Sequence, residues 1–120
     1  MKRALVVDDE PLLRRQVAEI VSGYGFDEIL EAENGVQAVE IAIHQEVLLV
    51  VMDVGMPVMD GIQFAQRLRG ENNLVPLIFI TGFAETKIIN QCWSLGAFDF
   101  LDKPTSEAEL HSTIMKALLF

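Results

Sequence analysis

The sequence predicts an α/β fold: a doubly wound, five-stranded parallel sheet with five helices in a (βα)5 three-layer sandwich. Three observations carry that reading. Short apolar runs alternate with segments of helical period along the whole chain. Three of the runs are apolar on both faces, as parallel strands covered by helices on each side must be. Polar side chains gather where the predicted strands end, which is where open α/β sheets place their ligands.

The elements follow in order. Residues 4–7 read as the first strand. Pro11 suits the first turn of the helix that follows, Leu13, Val17, Ile20 and Tyr24 share its apolar face, and Gly23 and Gly25 end it. A short strand at 29–30 leads to Asn34-Gly35, which starts a second helix with Val36, Val39 and Ile43 on one face. The third strand is 47–52, and Asp60-Gly61 starts a helix packed through Ile62, Ala65 and Leu68. Residues 74–80 form the fourth strand, Ile88, Cys92 and Leu95 the face of the fourth helix, and residues 97–101 the fifth strand. Ser106, with Glu109 three residues on, has the spacing of a capping box before a last helix carrying Leu110, Ile114 and Ala117. No linker or repeat interrupts the pattern, so residues 1–120 read as a single domain.

Composition narrows the function. With 9 Lys+Arg against 18 Asp+Glu the net charge is −9, which disfavours direct contact with nucleic acid or an anionic membrane. An apolar content of 51% suits a well-filled globule. The longest apolar run, 47–52, is far short of the ~20 residues of a membrane span, and too few apolar residues follow Lys2-Arg3 for a secretion signal. Cys92 is the lone cysteine, so a cytoplasmic setting is expected.

The strand ends carry the chemistry. Strand one ends in Asp8-Asp9, strand three in Asp53, strand four in Thr81-Gly82, and strand five runs into Lys103-Pro104. Three carboxylates in one crevice repel one another, and a hard divalent cation relieves them; magnesium takes carboxylate and carbonyl oxygens, so Asp8, Asp9 and Asp53 with one backbone carbonyl form a partial shell. Beside a cation and the ammonium of Lys103, Asp53 is a competent nucleophile toward phosphorus. Phosphoryl transfer mainly requires positioning and neutralisation of oxygens, which Lys103, the Thr81 hydroxyl and nearby backbone N–H groups supply.

Four stretches give the resemblance: Val6-Val7-Asp8-Asp9-Glu10-Pro11; Val51-Met52-Asp53-Val54-Gly55-Met56-Pro57-Val58-Met59-Asp60-Gly61; Thr81-Gly82; and Gly96-Ala97-Phe98-Asp99-Phe100-Leu101-Asp102-Lys103-Pro104. In this order the chain resembles a two-component response regulator receiver domain of the chemotaxis-regulator, flavodoxin-like kind. The resemblance implies strand order 2-1-3-4-5, and phosphoryl transfer to Asp53 from a sensor histidine kinase or histidine phosphotransfer protein. It implies that Asp8, Asp9, Asp53 and the carbonyl of Gly55 hold Mg2+, with Asp9 the more direct ligand, and that Thr81 and Lys103 bind the phosphoryl oxygens. It further implies a cis Lys103–Pro104 bond and a switch in which Phe100 changes rotamer as Thr81 moves. The surface of helix 4, strand 5 and helix 5 would then be read by a downstream effector protein or fused output domain. Such a domain catalyses only its own phosphorylation and dephosphorylation and is not otherwise an enzyme.

Rival readings are a non-phosphorylated pseudo-receiver, a flavodoxin-like cofactor module, and an aspartate-nucleophile phosphatase. The flavodoxin-like module is opposed by the acidic Asp8-Asp9-Glu10 where a phosphate cradle would lie, and the phosphatase by Gly55 where a second acid would stand. Met52, Met56 and Met59 read as packing, Cys92 as a buried side chain, and His44 and His111 as helix-surface residues. Against the family pattern, Phe98 suggests an aromatic docking patch with Trp93, Phe100 and Phe120, with local packing as the competing reading. Thr105 and a last helix poor in basic residues argue against dimerisation through that surface, and the resemblance implies an acyl-phosphate lifetime set by opposed effects, bulky Phe83 shielding it from water and small Gly55 leaving it open.

Overall fold

Five parallel strands, β1 (Arg3–Val7), β2 (Glu28–Ala32), β3 (Leu49–Asp53), β4 (Leu77–Thr81) and β5 (Asp99–Asp102), form one sheet in the order β2-β1-β3-β4-β5. A computed structural model describes residues 1–56, 59–82 and 85–119. Phe83 and Phe120, to which the sequence assigns a shield and a patch, therefore lie outside the described residues. Helices α1 (Pro11–Val21), α2 (Gly35–His44), α3 (Gly61–Gly70), α4 (Thr86–Ser94) and α5 (Glu107–Leu118) connect and follow the strands.

The sheet separates two cores, as its two-faced apolar strands require. Leu5, Val7, Val50, Met52, Leu77 and Phe79 point toward α2, α3 and α4, where Phe64 and Leu68 are fully buried. Their neighbours Val6, Val51, Ile78 and Ile80 point toward α1 and α5 and meet Val17, Leu110 and Ile114. β1, β3 and β4 are buried along almost their whole length, whereas the edge strand β2 is half-exposed. β2 extends beyond the predicted 29–30 because its glutamates are paired: Glu28 binds Arg3 at 2.8 Å, and Glu31 binds Arg14 at 3.1 Å and Arg15 at 3.4 Å.

Three strands lie further toward their carboxyl ends than their apolar runs suggest. β4 begins at Leu77 rather than residue 74 because Pro76 has no N–H to donate to a ladder, while Leu74 is exposed. β3 gains Asp53, β4 gains Thr81 and β5 gains Asp102, all polar residues excluded by an apolar criterion. In the ladder Asp53 lies opposite Ile80 and Thr81 opposite Asp102, so the polar residues form a staggered rim. Helix α2 also differs from expectation. Val36 and Ile43 are exposed, and Gly35, Ala38, Val39 and Ala42 form the buried face, because small side chains let this helix approach the sheet closely.

The start signals work as the sequence implies. Pro11 opens α1, the Asn34 side chain accepts from the Gln37 N–H, and Asp60 and Gln63 form a reciprocal capping box on α3. Ser106 accepts from the Glu109 N–H at 3.0 Å, but the Glu109 carboxylate receives the Thr105 hydroxyl at 3.3 Å.

Candidate functional site

The carboxyl ends of β1, β3 and β4 and the segment after β5 bring Asp8, Asp53, Thr81 and Lys103 to one rim. Asp8 follows β1, with its N–H donating to the Ala32 carbonyl at 3.1 Å. Asp8 is 5% exposed, and its side chain accepts from the Glu10 N–H at 2.9 Å. Asp53 ends β3, is 6% exposed, and accepts from the Gly55 N–H at 3.2 Å. Thr81 ends β4 and is buried, and its carbonyl accepts the Lys103 N–H at 2.7 Å. That bond carries the chain beyond β5 back toward β4, and the Lys103–Pro104 bond is cis.

Lys103 joins the rim. Its ammonium lies 3.1 Å from Asp53 Oδ2, 3.2 Å from Asp8 Oδ2 and 3.5 Å from Glu10 Oε1. Burial raises the Asp53 carboxyl above its ordinary value; Lys103 opposes that shift and the Asp8 charge adds to it. Burial also disfavours the Lys103 ammonium, but Asp53 and Asp8 outweigh it and hold its pKa above the ordinary lysine value. One cation thus serves a site with more negative charge than it can neutralise.

The structure brings the expected metal-binding carboxylates together unevenly. Among the described residues, oxygens of Asp8, Asp9 and Glu10 lie within 4.8 Å of one another. Asp53 stands outside that trio and is linked to it through Lys103, while Gly55 is exposed with open space around it. The donor set of hard carboxylate oxygens, two of them on exposed residues, fits a hard, partly hydrated divalent cation. Glu10 is the residue that sequence reasoning missed at the rim. Its signal was its place beside the Asp8-Asp9 pair, read there only as a repulsive charge.

Backbone contacts hold the rim in place. A Cβ on Gly61 would lie 2.8 Å from the Asp53 carbonyl oxygen, and a Cβ on Gly35 would lie 2.4 Å from that of Met59. The starts of α3 and α2 therefore press on the chain at Asp53–Val54 and at Met59. A cavity of about 370 Å³ opens beside Lys103 and is lined by Asp8, Glu10, Leu13, Gln16 and Thr105.

Phe100 is half-buried and packs on the core that contains Phe79, its partner in the ladder. Phe98 packs on the opposite core, so the sheet separates the two rings and the expected patch of Phe98, Trp93 and Phe100 does not assemble. The reason is that Phe98 precedes β5 and does not follow the strand alternation that would place it beside Phe100. Met52 and Met56 are buried, as is Cys92, whose thiol burial pushes up to about 11. His44 and His111 are exposed, the first beside Glu40 and the second bonded to Tyr24. No helix among the described residues is long and apolar enough to cross a membrane.

Comparison with known proteins gives the family and the fold. A family model described as response regulator receiver domain matches residues 4–115. The chain is 33% identical over 116 residues to chemotaxis protein CheY of Bacillus subtilis, covering 97% of each chain. It is also 33% identical over 117 residues to transcriptional regulatory protein PdtaR of Mycobacterium tuberculosis, covering 98% of this chain and 57% of that protein. The chain thus spans little more than half of PdtaR, and 25% of regulatory protein AtoC of Escherichia coli. Among solved structures, chemotaxis response regulator CheY4 of Vibrio cholerae superposes with a TM-score of 0.86 at 26% identity, covering 98% of both chains.

Proposed function

The chain belongs to the response regulator receiver domain family, a family of signalling switches, and from that premise we propose that Asp53 is its phosphoacceptor in two-component signalling. The observation that carries the assignment is the Lys103 ammonium within 3.2 Å of both Asp53 and Asp8 at the carboxyl edge of the sheet. An oxygen of Asp53 forms the new P–O bond as the P–N bond of a phosphohistidine donor, or the P–O bond of a small acyl phosphate, breaks. No general base is needed, because a carboxylate nucleophile has no proton to lose. Lys103 turns from the carboxylates to the incoming phosphoryl oxygens, and the Thr81 hydroxyl and the N–H groups following Asp53 meet the others.

Asp8, Asp9, Asp53 and the Gly55 carbonyl would hold Mg2+, with Glu10 adding a third carboxylate beside the aspartate pair. When bound, the cation supplies charge neutralisation that lets the phosphoryl group approach this acidic rim. Residues 1–120 act as one receiver unit in this reading. The donor is a sensor histidine kinase or histidine phosphotransfer protein, and the reader is an effector protein or an output domain.

Phosphorylation adds about −1.5 to −2 charges and three acceptor oxygens. Thr81 and Lys103 are drawn toward them, and Phe100 follows into the space that Thr81 leaves, altering the α4–β5–α5 surface. The test is incubation with acetyl phosphate and Mg2+ followed by intact mass measurement. A gain of one phosphoryl mass in the wild type and none in Asp53→Asn is expected; equal labelling of both would overturn the assignment.

A further inference from the structure

Arg14 uses the two arms of its guanidinium on two different elements. Its Nη1 donates to the main-chain carbonyl of Asp8 at 2.8 Å, and its Nε donates to Glu31 Oε1 on β2 at 3.1 Å. Both side chains are largely buried, Arg14 at 17% exposure and Glu31 at 25%. The carbonyl concerned belongs to the peptide group joining Asp8 to Asp9. The N–H of Asp8 is already bound to Ala32, so the link to Arg14 fixes the next peptide plane along the chain. The orientation of that plane sets the directions in which the Asp8 and Asp9 side chains leave the backbone. Two neighbouring carboxylates repel each other, and a loop carrying them relaxes outward unless its backbone is held.

We propose that Arg14 is a positioning residue for the divalent-cation site: anchored on Glu31, it holds the Asp8–Asp9 peptide so that both carboxylates converge. The inference rests on the metal-binding reading given above. The fork geometry is what matters, since a lysine is a point donor and cannot span both acceptors. Glu31 keeps Arg15 at 3.4 Å when Arg14 is removed, so loss of Arg14 does not leave Glu31 without a cation.

Charge and positioning predict opposite signs. Arg14 is a cation near an acidic metal site, so by Coulomb repulsion alone its removal would tighten Mg2+ binding. A positioning role predicts weaker binding, by about tenfold, the lower end of what second-shell partners contribute.

The test compares wild type, Arg14→Lys and Arg14→Ala. Mg2+ affinity is read by titration calorimetry, and the backbone amide of Asp9 by 15N NMR of the metal-free protein. Expected are a roughly tenfold loss of Mg2+ affinity in Arg14→Ala, most of that loss in Arg14→Lys although the charge is kept, and a displaced Asp9 amide resonance in both. Mg2+ binding as tight as wild type, or tighter, in Arg14→Ala would overturn the proposal. If the wild type itself binds no Mg2+, the metal-binding reading fails. The proposal, which needs that site, then falls with it, whereas an unmoved Asp9 amide in Arg14→Ala overturns the positioning role by itself, because the peptide keeps its orientation without the guanidinium.

Discussion

The ammonium of Lys103 stands 3.1 Å from the Asp53 carboxylate, joining residues 50 positions apart in sequence. It also holds Asp8, so one largely buried cation separates two buried acids. Removing it leaves both acids facing each other without that cation, with only the backbone N–H groups of Glu10 and Gly55 donating to them, and breaking a buried ion pair in this way is strongly destabilising. Lys103→Met is therefore expected to lower the stability of the metal-free protein by about 3 kcal/mol in urea unfolding. Arg67→Ala, which removes an exposed i,i+4 pair with Glu71, should change it by no more than ~0.5 kcal/mol. Similar losses in the two variants would show that Lys103 does not hold the site together.

The raised carboxyl of Asp53 has a consequence for pH dependence. Folded Asp53 keeps its proton to higher pH than the unfolded chain does, so between the two pKa values the native state binds more protons. This group's contribution is present below the unfolded value of 3.8 and is lost as pH rises through the higher folded value. Asp53→Asn removes that loss. In metal-free protein the stability of the variant relative to wild type should therefore increase as pH rises above about 4 and then level off. Chemical denaturation across the acid range measures it, and a difference that does not vary with pH would remove Asp53 as the titrating group.

How much of this was legible in the sequence depended on which physical signal each residue emits. β1, β3 and β4 announce themselves because burial on both faces leaves only apolar positions to read. β2 shows little, because an edge strand held by Glu28 and Glu31 through arginines lacks that signature. The rim residues Asp8, Asp53, Thr81 and Lys103 stood out as polar breaks after apolar runs. Glu10 stands beside the Asp8-Asp9 pair in the sequence, but its contact with Lys103, 93 residues away, is one that no local pattern encodes. The same holds for Phe98 and Phe100: residue types suggest a patch, but which core each ring enters is decided only where the strand begins.

Gly61 gives a test of backbone crowding at the site. As the first residue of α3 it donates to the Val54 carbonyl at 2.9 Å, and an added Cβ would lie 2.8 Å from the Asp53 oxygen and 3.0 Å from Val54 Cα. These are backbone atoms and cannot swing aside. Alanine's helix preference favours the substitution by at most ~1 kcal/mol, against an overpacking cost of 1–3 kcal/mol that increases when backbone must move. Gly61→Ala should thus destabilise by about 1 kcal/mol net and slow acetyl-phosphate labelling. Gly70→Ala, at the other end of the same helix with nothing within 4 Å, should be neutral or stabilising. Equal effects at the two glycines would refute the crowding argument.

Phe98 separates a docking residue from a packing residue. The ring is half-buried against the core formed with Ile78, Leu101 and Ile114, on the α1 and α5 side of the sheet. Replacing it with aspartate removes that contact and places a carboxylate at an apolar boundary beside Asp99. Full burial would cost 3–5 kcal/mol, so a half-buried ring gives about 2 kcal/mol. In a domain of this size that is a fall in Tm of roughly 8 °C for Phe98→Asp. Trp93, at 47% exposure on α4, provides the contrast: Trp93→Asp should shift Tm by no more than about 2 °C. Thermal unfolding of the two variants decides between the roles. A Phe98→Asp protein that melts like wild type would return Phe98 to the surface and reopen it as a partner contact.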